Sequence, residues 1–202
     1  MESLAPYRIV LASNSPRRRE LLAGLGLEFT TRVIDGIDES WPDNLKGQDI
    51  PLYISCKKSV AYAGTLAADE LVITADTVVL ADDRVLGKPH NRQQASEMLH
   101  LLSGRTHQVI TGVTLASKDR RRSFAVTTKV SFDKLSDNEI DWYIEHYSPF
   151  DKAGAYGIQE WIGYIGVTSI EGSYFNVVGL PVQRLYRELL SFCRQSGKCA
   201  RL

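Results

Sequence analysis

Asp76 is the residue whose surroundings in the sequence point most directly to chemistry. It stands inside the apolar segment 71–80, LVITADTVVL, whose β-branched and aliphatic residues predict a buried strand. Removing a lone carboxylate from water is costly unless a cation or hydrogen-bond donors meet it. With Asp38 and Glu39 of an upstream loop, which alone are typical of surface charge, Asp76 could hold a divalent cation such as Mg²⁺. It could instead act as a general base on a water, and a structural ion pair with a nearby Lys or Arg is an equally good interpretation.

The segment 13–18, SNSPRR, combines a helix start with positive charge. Ser15 is predicted as the N-cap and the proline after it as the first helical residue, an arrangement that favours an anion at the helix N-terminus. Ser13, Arg17 and Arg18 are therefore candidate phosphate ligands, since guanidinium groups match phosphate oxygens. A solvated basic first turn is the competing interpretation. We slightly favour the anion site, because cations at a helix N-terminus oppose the helix dipole unless an anion is bound there.

Three lysines occupy unusual places in the sequence. Lys58 lies within a predicted helix, Lys88 lies between Gly and Pro, and Lys152 opens the glycine-containing segment 151–159, DKAGAYGIQ. Any one of them is most simply a solvated surface charge, but together with the arginines they indicate a polyanionic ligand. Gln159 offers a hydrogen-bond donor and an acceptor side by side, which suits the imide edge of a pyrimidine. Taken singly, Gln159 is more typical of an ordinary polar surface residue.

Several classes of function lack their motifs in this sequence. Lys plus Arg total 24 and Asp plus Glu total 24, so no overall charge favours nucleic acid or a membrane as partner. No zinc-ligand spacing, no Gly-x-Ser-x-Gly and no phosphate-binding Gly-x-x-x-x-Gly-Lys-Ser/Thr loop occurs. Three cysteines without a pairing pattern predict reduced thiols, and the N-terminal residues lack the pattern of a signal peptide. We therefore expect a cytoplasmic protein.

The order of predicted elements indicates an α/β fold around a mixed sheet flanked by helices. One domain is expected for the 202 residues, with a hinge between two lobes near residues 148–149 and a frayed tail at 194–202. Helices are predicted at 16–23, 50–68, 91–102, 136–146 and 181–192, and strands at 8–12, 28–33, 71–80, 108–116, 123–132 and 164–170. The strands at 108–116 and 123–132 are joined by a short charged turn, which predicts an antiparallel hairpin.

Several motifs, which follow one another in the family's order, resemble those of the Maf family of nucleoside triphosphate pyrophosphatases. They are 13–18 SNSPRR, 75–79 ADTVV, 87–89 GKP, 151–159 DKAGAYGIQ, 172–174 GSY and 178–181 VGLP. The resemblance covers nearly the whole chain and implies a single Maf-like domain over residues 1–202. It also implies an elongated mixed sheet, similar to that of inosine triphosphatase, with two lobes around a cleft.

The resemblance implies a reaction and a set of site residues. Hydrolysis of dTTP and UTP, or of modified pyrimidine nucleotides, to the monophosphate and pyrophosphate is expected, with Mg²⁺ or Mn²⁺ as cofactor. Asp76 matches the family's proton acceptor and is the expected metal ligand with Glu39, while the subgroup acting on dTTP and UTP is indicated by Arg17, Thr77 and Gln159. The chain has Cys-Lys-Lys-Ser at 56–59 where the family usually has one Lys followed by Ala, and Lys58 is assigned by alignment. The full set of expected substrate-binding residues is Ser13, Arg17, Arg18, Lys58, Thr77, Lys88, Lys152 and Gln159.

Two other functions compete with this interpretation. A non-catalytic nucleotide-binding regulator of cell division or septation needs the cationic site but not the buried acid. A nucleic-acid-binding role rests only on the arginine runs 17–19 and 120–122, against a neutral net charge. The expected partner is therefore a small-molecule nucleotide, with neither nucleic acid nor a membrane, and a homodimer is a further expectation of the resemblance.

Overall fold

The computed structural model describes residues 7–195. The predicted tail at 194–202 lies outside the described residues except for its first two positions, which belong to the last helix. The strands are β1 (Arg8–Leu11), β2 (Phe29–Thr31), β3 (Glu70–Ala81), β4 (Arg84–Leu86), β5 (Thr106–Ala116), β6 (Arg121–Phe132) and β7 (Val167–Glu171). The helices are α1 (Pro16–Ala23), α2 (Asp49–Tyr62), α3 (Arg92–Leu102), α4 (Asp137–Tyr147), α5 (Trp161–Gly166), α6 (Tyr174–Val178) and α7 (Val182–Gln195).

The described strands form one mixed sheet in the order β2-β1-β3-β5-β6-β7, with β4 paired to β3. Strand β1 runs parallel to both β2 and β3, whereas β4 pairs with β3 and β7 pairs with β6 in the antiparallel sense. Strands β5 and β6 are neighbours joined by four residues, a length that only an antiparallel pair allows. The predicted α/β fold with a mixed sheet and helices is therefore confirmed.

Local signals in the sequence account for several element boundaries. Ser15 caps α1 through its Oγ, which accepts the Arg18 N–H, and Pro16 is the first helical residue, as predicted. Ser136 and Glu139 form a reciprocal capping box at the start of α4. None of the described helices is long and apolar enough to cross a membrane.

Two predicted elements differ from the structure. Helix α2 ends at Tyr62 instead of continuing to residue 68, because the Thr65 N–H and hydroxyl both donate to the Tyr62 carbonyl and turn the chain. A strand was expected over 164–170, but the chain forms α5 before β7. A Cβ at Gly163 would lie 1.9 Å from the Ile158 carbonyl oxygen, so the close return of α5 onto the preceding turn requires glycine there.

The described chain divides into two compact units. The first comprises residues 7–76, 111–126 and 179–195, and the second comprises Thr77–Ile110 and Thr127–Val178. The expected hinge at Ser148–Pro149 is wrong, because these residues lie inside the second unit. The main apolar core of the first unit includes Leu11, Leu22, Ile73, Leu115 and Leu185, and that of the second includes Leu99, Val109, Val130, Tyr143 and Ile162. A separate core for each unit means that each fixes its own candidate residues.

Candidate active site

Asp76 in β3 faces cations within the first unit. The residue is 8 % exposed, and the Lys58 ammonium of α2 donates to its Oδ1 at 2.9 Å. The same ammonium lies 2.9 Å from Oε1 of Glu39 in the loop before α2. One half-buried lysine therefore joins Glu39 and Asp76, the two carboxylates that the resemblance implies as metal ligands.

Helix α2 is held against the sheet by a set of small, buried contacts. The Thr74 hydroxyl of β3 donates to the Ser55 carbonyl at 2.7 Å, and the Ser55 and Thr114 hydroxyls lie 3.0 Å apart. A Cβ at Gly112 would lie 2.3 Å from the Pro51 carbonyl carbon, so β5 and α2 touch backbone to backbone. These contacts set which residues of the helix can reach the strand.

The position of Lys58 follows from the same geometry. Thr74 and Asp76 are two residues apart on β3 and share one face of the strand. Ser55 and Lys58 are three residues apart on α2 and share one face of the helix. The contact between Thr74 and Ser55 therefore brings Lys58 to Asp76.

The neighbouring lysine has a different partner. The Lys57 ammonium donates to Oδ2 of Asp38 at 2.7 Å on the exposed side of α2. Hydrogen bonds from Lys57 and Ser40 hold the pKa of the Asp38 carboxyl well below its usual range. Of the two adjacent lysines, Lys58 is therefore the one beside Asp76, which agrees with its assignment by alignment.

Arg18 connects α1 to the strand that carries Asp76. Its Nε donates to the Gly179 carbonyl at 2.9 Å, and its Nη1 donates to the Ala75 carbonyl at 3.0 Å. Burial lowers the pKa of the guanidinium group, while the negative charge of Asp76 acts in the opposite direction. Two N–H donors of Arg18 thus bind backbone carbonyls, one of them in the residue before Asp76. Arg18 therefore positions α1 against β3, whether or not it also contacts a ligand.

The remaining residues of the predicted anion site lie at the start of α1. Ser13 is buried, and its Oγ accepts the Ser15 N–H at 3.2 Å, which shapes the turn into the helix. Arg17 follows in the first helical turn and is half-buried. The first unit therefore carries Ser13, Arg17, Arg18, Glu39, Lys58 and Asp76, and direct contacts join Lys58 to Glu39 and Asp76.

The carboxylates of Glu39 and Asp76 suit a hard divalent cation. Each has an oxygen 2.9 Å from the Lys58 ammonium, so these two oxygens are at most twice that distance, 5.8 Å, apart. Mg²⁺ commonly takes one or two protein carboxylates and completes its shell with waters and substrate phosphates. Residues 7–195 contain no group of three or more His, Cys, Asp or Glu arranged to hold a metal. Glu39 and Asp76 therefore offer the one or two carboxylates that Mg²⁺ takes when waters and phosphates complete its shell.

The second unit carries the other four predicted residues. Thr77 continues β3 and is half-buried, while Lys88 is exposed in the turn after β4. The Gly154 N–H donates to the Gly87 carbonyl at 3.0 Å, which joins this turn to the segment 151–159. Gly154 has a φ of 69°, and a Cβ there would lie 2.9 Å from a methyl group of Val79. The second unit thus holds the Lys88 turn and the segment 151–159 together.

Lys152 and Gln159 have contrasting surroundings within that segment. Lys152 is 8 % exposed, and its ammonium lies 2.8 Å from Asp151 Oδ1 and 3.0 Å from Glu160 Oε1. The side-chain oxygen of Gln159 is buried without a hydrogen-bond partner. A buried acceptor without a partner is costly in a folded protein and is a common feature of a ligand site. The paired carboxylate of Glu160 was not anticipated from the sequence, although it directly follows Gln159.

The fold and the surroundings of Asp76 define a mixed α/β protein in which a buried carboxylate is paired with a lysine ammonium, a combination suited to phosphate chemistry. A family model described as Maf-like protein matches residues 8–192, and the chain belongs to this family. A protein of Phocaeicola vulgatus named dTTP/UTP pyrophosphatase is 60 % identical to this chain over 189 residues. The match covers 94 % of this chain and 98 % of that protein. The protein of the same name in Parabacteroides distasonis is 58 % identical over 192 residues, covering 95 % and 100 %. The resemblance drawn from the motifs is confirmed.

Among solved structures, the Ham1 protein of Staphylococcus aureus overlays with a TM-score of 0.44 at 19 % identity. The overlay covers 92 % of this chain and 98 % of that one.

Proposed function

We propose that this chain is a nucleoside triphosphate pyrophosphatase that hydrolyses the α–β phosphoanhydride of dTTP and UTP. The products are the nucleoside monophosphate and pyrophosphate. The observation that carries the proposal is the buried Asp76 carboxylate, which meets the Lys58 ammonium at 2.9 Å instead of apolar side chains. The names of the relatives that are 60 % and 58 % identical support the choice of substrate.

Asp76 would accept the proton of the water that attacks the α-phosphorus. A carboxylate has two oxygens, so one can hold a cation while the other takes the proton. Glu39 and Asp76 would hold Mg²⁺ or Mn²⁺, which when bound neutralises charge on the phosphate oxygens. The Lys58 ammonium, 2.9 Å from an oxygen of each of these carboxylates, would add positive charge at the same place.

The cationic residues at the start of α1 would stabilise the triphosphate. Arg17 is the proposed ligand of the phosphate chain, and Ser13 and Arg18 shape and anchor the turn before α1. Lys88 stays a proposed substrate-binding residue on the resemblance alone. Phosphoryl transfer depends mainly on positioning and on neutralising charge, so this arrangement suits the reaction. Pyrophosphate is the leaving group.

Gln159 is the proposed reader of the base, with Thr77 assisting. The imide of uracil or thymine carries an N–H donor at position 3, which the partnerless side-chain oxygen of Gln159 can accept. Cytosine presents an acceptor at the same position, and two acceptors facing each other repel. The proposed preference for dTTP and UTP over CTP follows from this difference.

A substrate panel tests the reaction. Purified protein is given canonical and modified triphosphates with Mg²⁺ or Mn²⁺, and pyrophosphate and orthophosphate are measured separately. We expect pyrophosphate as first product from dTTP and UTP, and in H₂¹⁸O we expect the label in the monophosphate. Orthophosphate as first product, or ¹⁸O in the pyrophosphate, would contradict attack at the α-phosphorus.

The same assay distinguishes the enzyme from a nucleotide-binding regulator. Tight binding of dTTP or UTP with no pyrophosphate release under either metal would favour the regulator. Asp76→Asn removes the proton acceptor and keeps the shape, so it should lower kcat by roughly 10²–10⁴. Asp69→Asn, at an exposed carboxylate paired with Arg8 at 2.8 Å, is the matched control and should retain activity.

A further inference from the structure

Glu160 is half-buried and has two side-chain partners in the second unit. Its Oε1 lies 3.0 Å from the Lys152 ammonium, and its Oε2 accepts a short hydrogen bond from the Tyr143 hydroxyl. The Tyr143 hydroxyl oxygen in turn accepts the Gly157 N–H at 3.0 Å. The backbone adds a further tie, because the Glu160 N–H donates to the Gly157 carbonyl at 2.9 Å. The Glu160 carboxylate therefore has a fixed position relative to the turn 157–160.

Tyr143 is suited to hold this position. Its side chain is fully buried, and burial together with the hydrogen bond to Glu160 raises its pKa. The hydroxyl thus stays protonated at neutral pH, which lets it donate to the carboxylate while it accepts the Gly157 N–H. Lys152 balances the charge of Glu160, so this lysine already has a role that needs no phosphate.

The Glu160 carboxylate and the Gln159 amide lie against the same glycine. A Cβ built on Gly157 would be 2.9 Å from Glu160 Oε2 and 3.1 Å from Gln159 Nε2. The amide nitrogen and the carboxylate oxygen are therefore at most 6.0 Å apart, the sum of these two distances. A carboxylate attracts the N–H groups of an amide and repels its oxygen. This arrangement favours the orientation in which the partnerless oxygen of Gln159 is available as an acceptor.

We propose that Glu160 is a specificity-determining positioning residue, which keeps the Gln159 amide oriented to accept the imide N–H of uracil or thymine. This inference rests on the proposed function, in which Gln159 reads the base. A freely rotating amide could present its NH₂ group to N3 of cytosine as readily as its oxygen to the imide of uracil. The carboxylate of Glu160 removes that freedom, and Tyr143 and Lys152 hold the carboxylate in place.

The test measures kcat/KM for UTP, dTTP and CTP in wild type and in Glu160→Gln, which keeps the shape and removes the charge. We expect the ratio of kcat/KM for CTP to that for UTP to rise roughly ten-fold or more, since the discrimination depends on a buried hydrogen bond. The change should lie mostly in KM, because Glu160 is not a reacting group. Glu145→Gln, at an exposed carboxylate on α4, is the matched control and should keep the wild-type ratio.

A second variant and a spectroscopic measurement keep the proposal testable if Glu160→Gln folds poorly. Tyr143→Phe removes the hydroxyl that fixes the carboxylate and should shift the ratio in the same direction. In ¹H–¹⁵N spectra of the ligand-free protein, the Gln159 side-chain amide resonances should move in both variants and stay in place in Glu145→Gln.

Three outcomes separate the inference from the proposed function. An equal loss of activity on all three nucleotides would show a merely structural role for Glu160 and overturn the inference. An unchanged ratio with unmoved Gln159 resonances would overturn it as well. A wild-type protein that releases no pyrophosphate, or that treats CTP and UTP alike, would overturn the proposed function and its reading of the base together.

Discussion

His107 should make the protein lose stability in mild acid. This residue of β5 is 2 % exposed, its Nε2 lies 2.8 Å from the Tyr156 hydroxyl, and its ring packs edge-on against Phe132. Burial lowers the pKa of the imidazole from 6.5 to about 4. Nδ1 is buried without a hydrogen-bond partner, so a proton added there would meet no acceptor. Between pH 6.5 and about 4, the His107 ring therefore stays mostly neutral in the folded protein, whereas it is mostly protonated in the unfolded chain.

The direction and size of the effect follow from these two pKa values. Above pH 6.5 the ring is neutral in both states and the contribution is at its maximum. As the pH falls from 6.5 to about 4, only the unfolded chain binds the proton, so the free energy of unfolding decreases. The decrease approaches about 1.4 kcal/mol for each pH unit and totals roughly 3 kcal/mol, of which about 2 kcal/mol is lost between pH 7.5 and 5.

Urea unfolding of wild type and His107→Gln at pH 7.5 and pH 5 measures this contribution. The variant is expected to be less stable at pH 7.5, because it disturbs a packed aromatic cluster, but it should lose about 2 kcal/mol less than wild type between the two pH values. His146→Gln, at an exposed histidine on α4, is the control and should keep the wild-type dependence. Equal pH dependence in wild type and His107→Gln, or an NMR titration of His107 near pH 6.5, would refute the reasoning.

Three further predictions concern the residues that position the site. Gly112→Ala should destabilise the protein by about 1–3 kcal/mol or more in urea unfolding, because the new methyl group meets the backbone of α2, whereas Gly64→Ala has open space and should be nearly neutral. Arg18→Lys should lower both stability and activity, because one ammonium cannot replace the planar fork that reaches two carbonyls, and the exposed residue beside it, changed as Arg19→Lys, should have little effect. Glu39→Gln should raise the Mg²⁺ concentration needed for half-maximal activity, and a variant with unchanged metal dependence would remove Glu39 from the metal site.

The Glu39 prediction has a close control in the adjacent residue. Asp38 also pairs with a lysine of α2, but its partner is Lys57, on the exposed side of the helix. Asp38→Asn should therefore leave the Mg²⁺ dependence unchanged. Equal shifts in Asp38→Asn and Glu39→Gln would indicate a general effect of negative charge on this loop.

Short-range patterns in the sequence predicted much of the architecture. The Ser-Pro helix start at residue 15 and the cap at Ser136 depend on hydrogen bonds within one turn, and both appear in the structure. The apolar run around Asp76 predicted β3, because a strand covered on both faces needs apolar residues throughout. The buried acid in that run was visible for the same reason. The partner of Asp76 could not be predicted, because a bound metal and a structural ion pair with a Lys or Arg were both compatible with the sequence.

Tertiary structure decided the features that depend on distant backbone contacts. Lys58 meets Asp76, and Lys57 does not, because Gly112, Ser55 and Thr114 fix how α2 lies on the sheet. A hinge was expected at residues 148–149, but they lie inside one unit, where nearby Gly154 allows close packing against Val79. Glu160 and Tyr143 are seventeen residues apart, and their hydrogen bond exists only because α4 and the turn 157–160 pack together. Residue types thus determined which groups this protein can use, while packing between separated segments determined which of them meet, because a side chain's reach is short compared with the sequence distances involved.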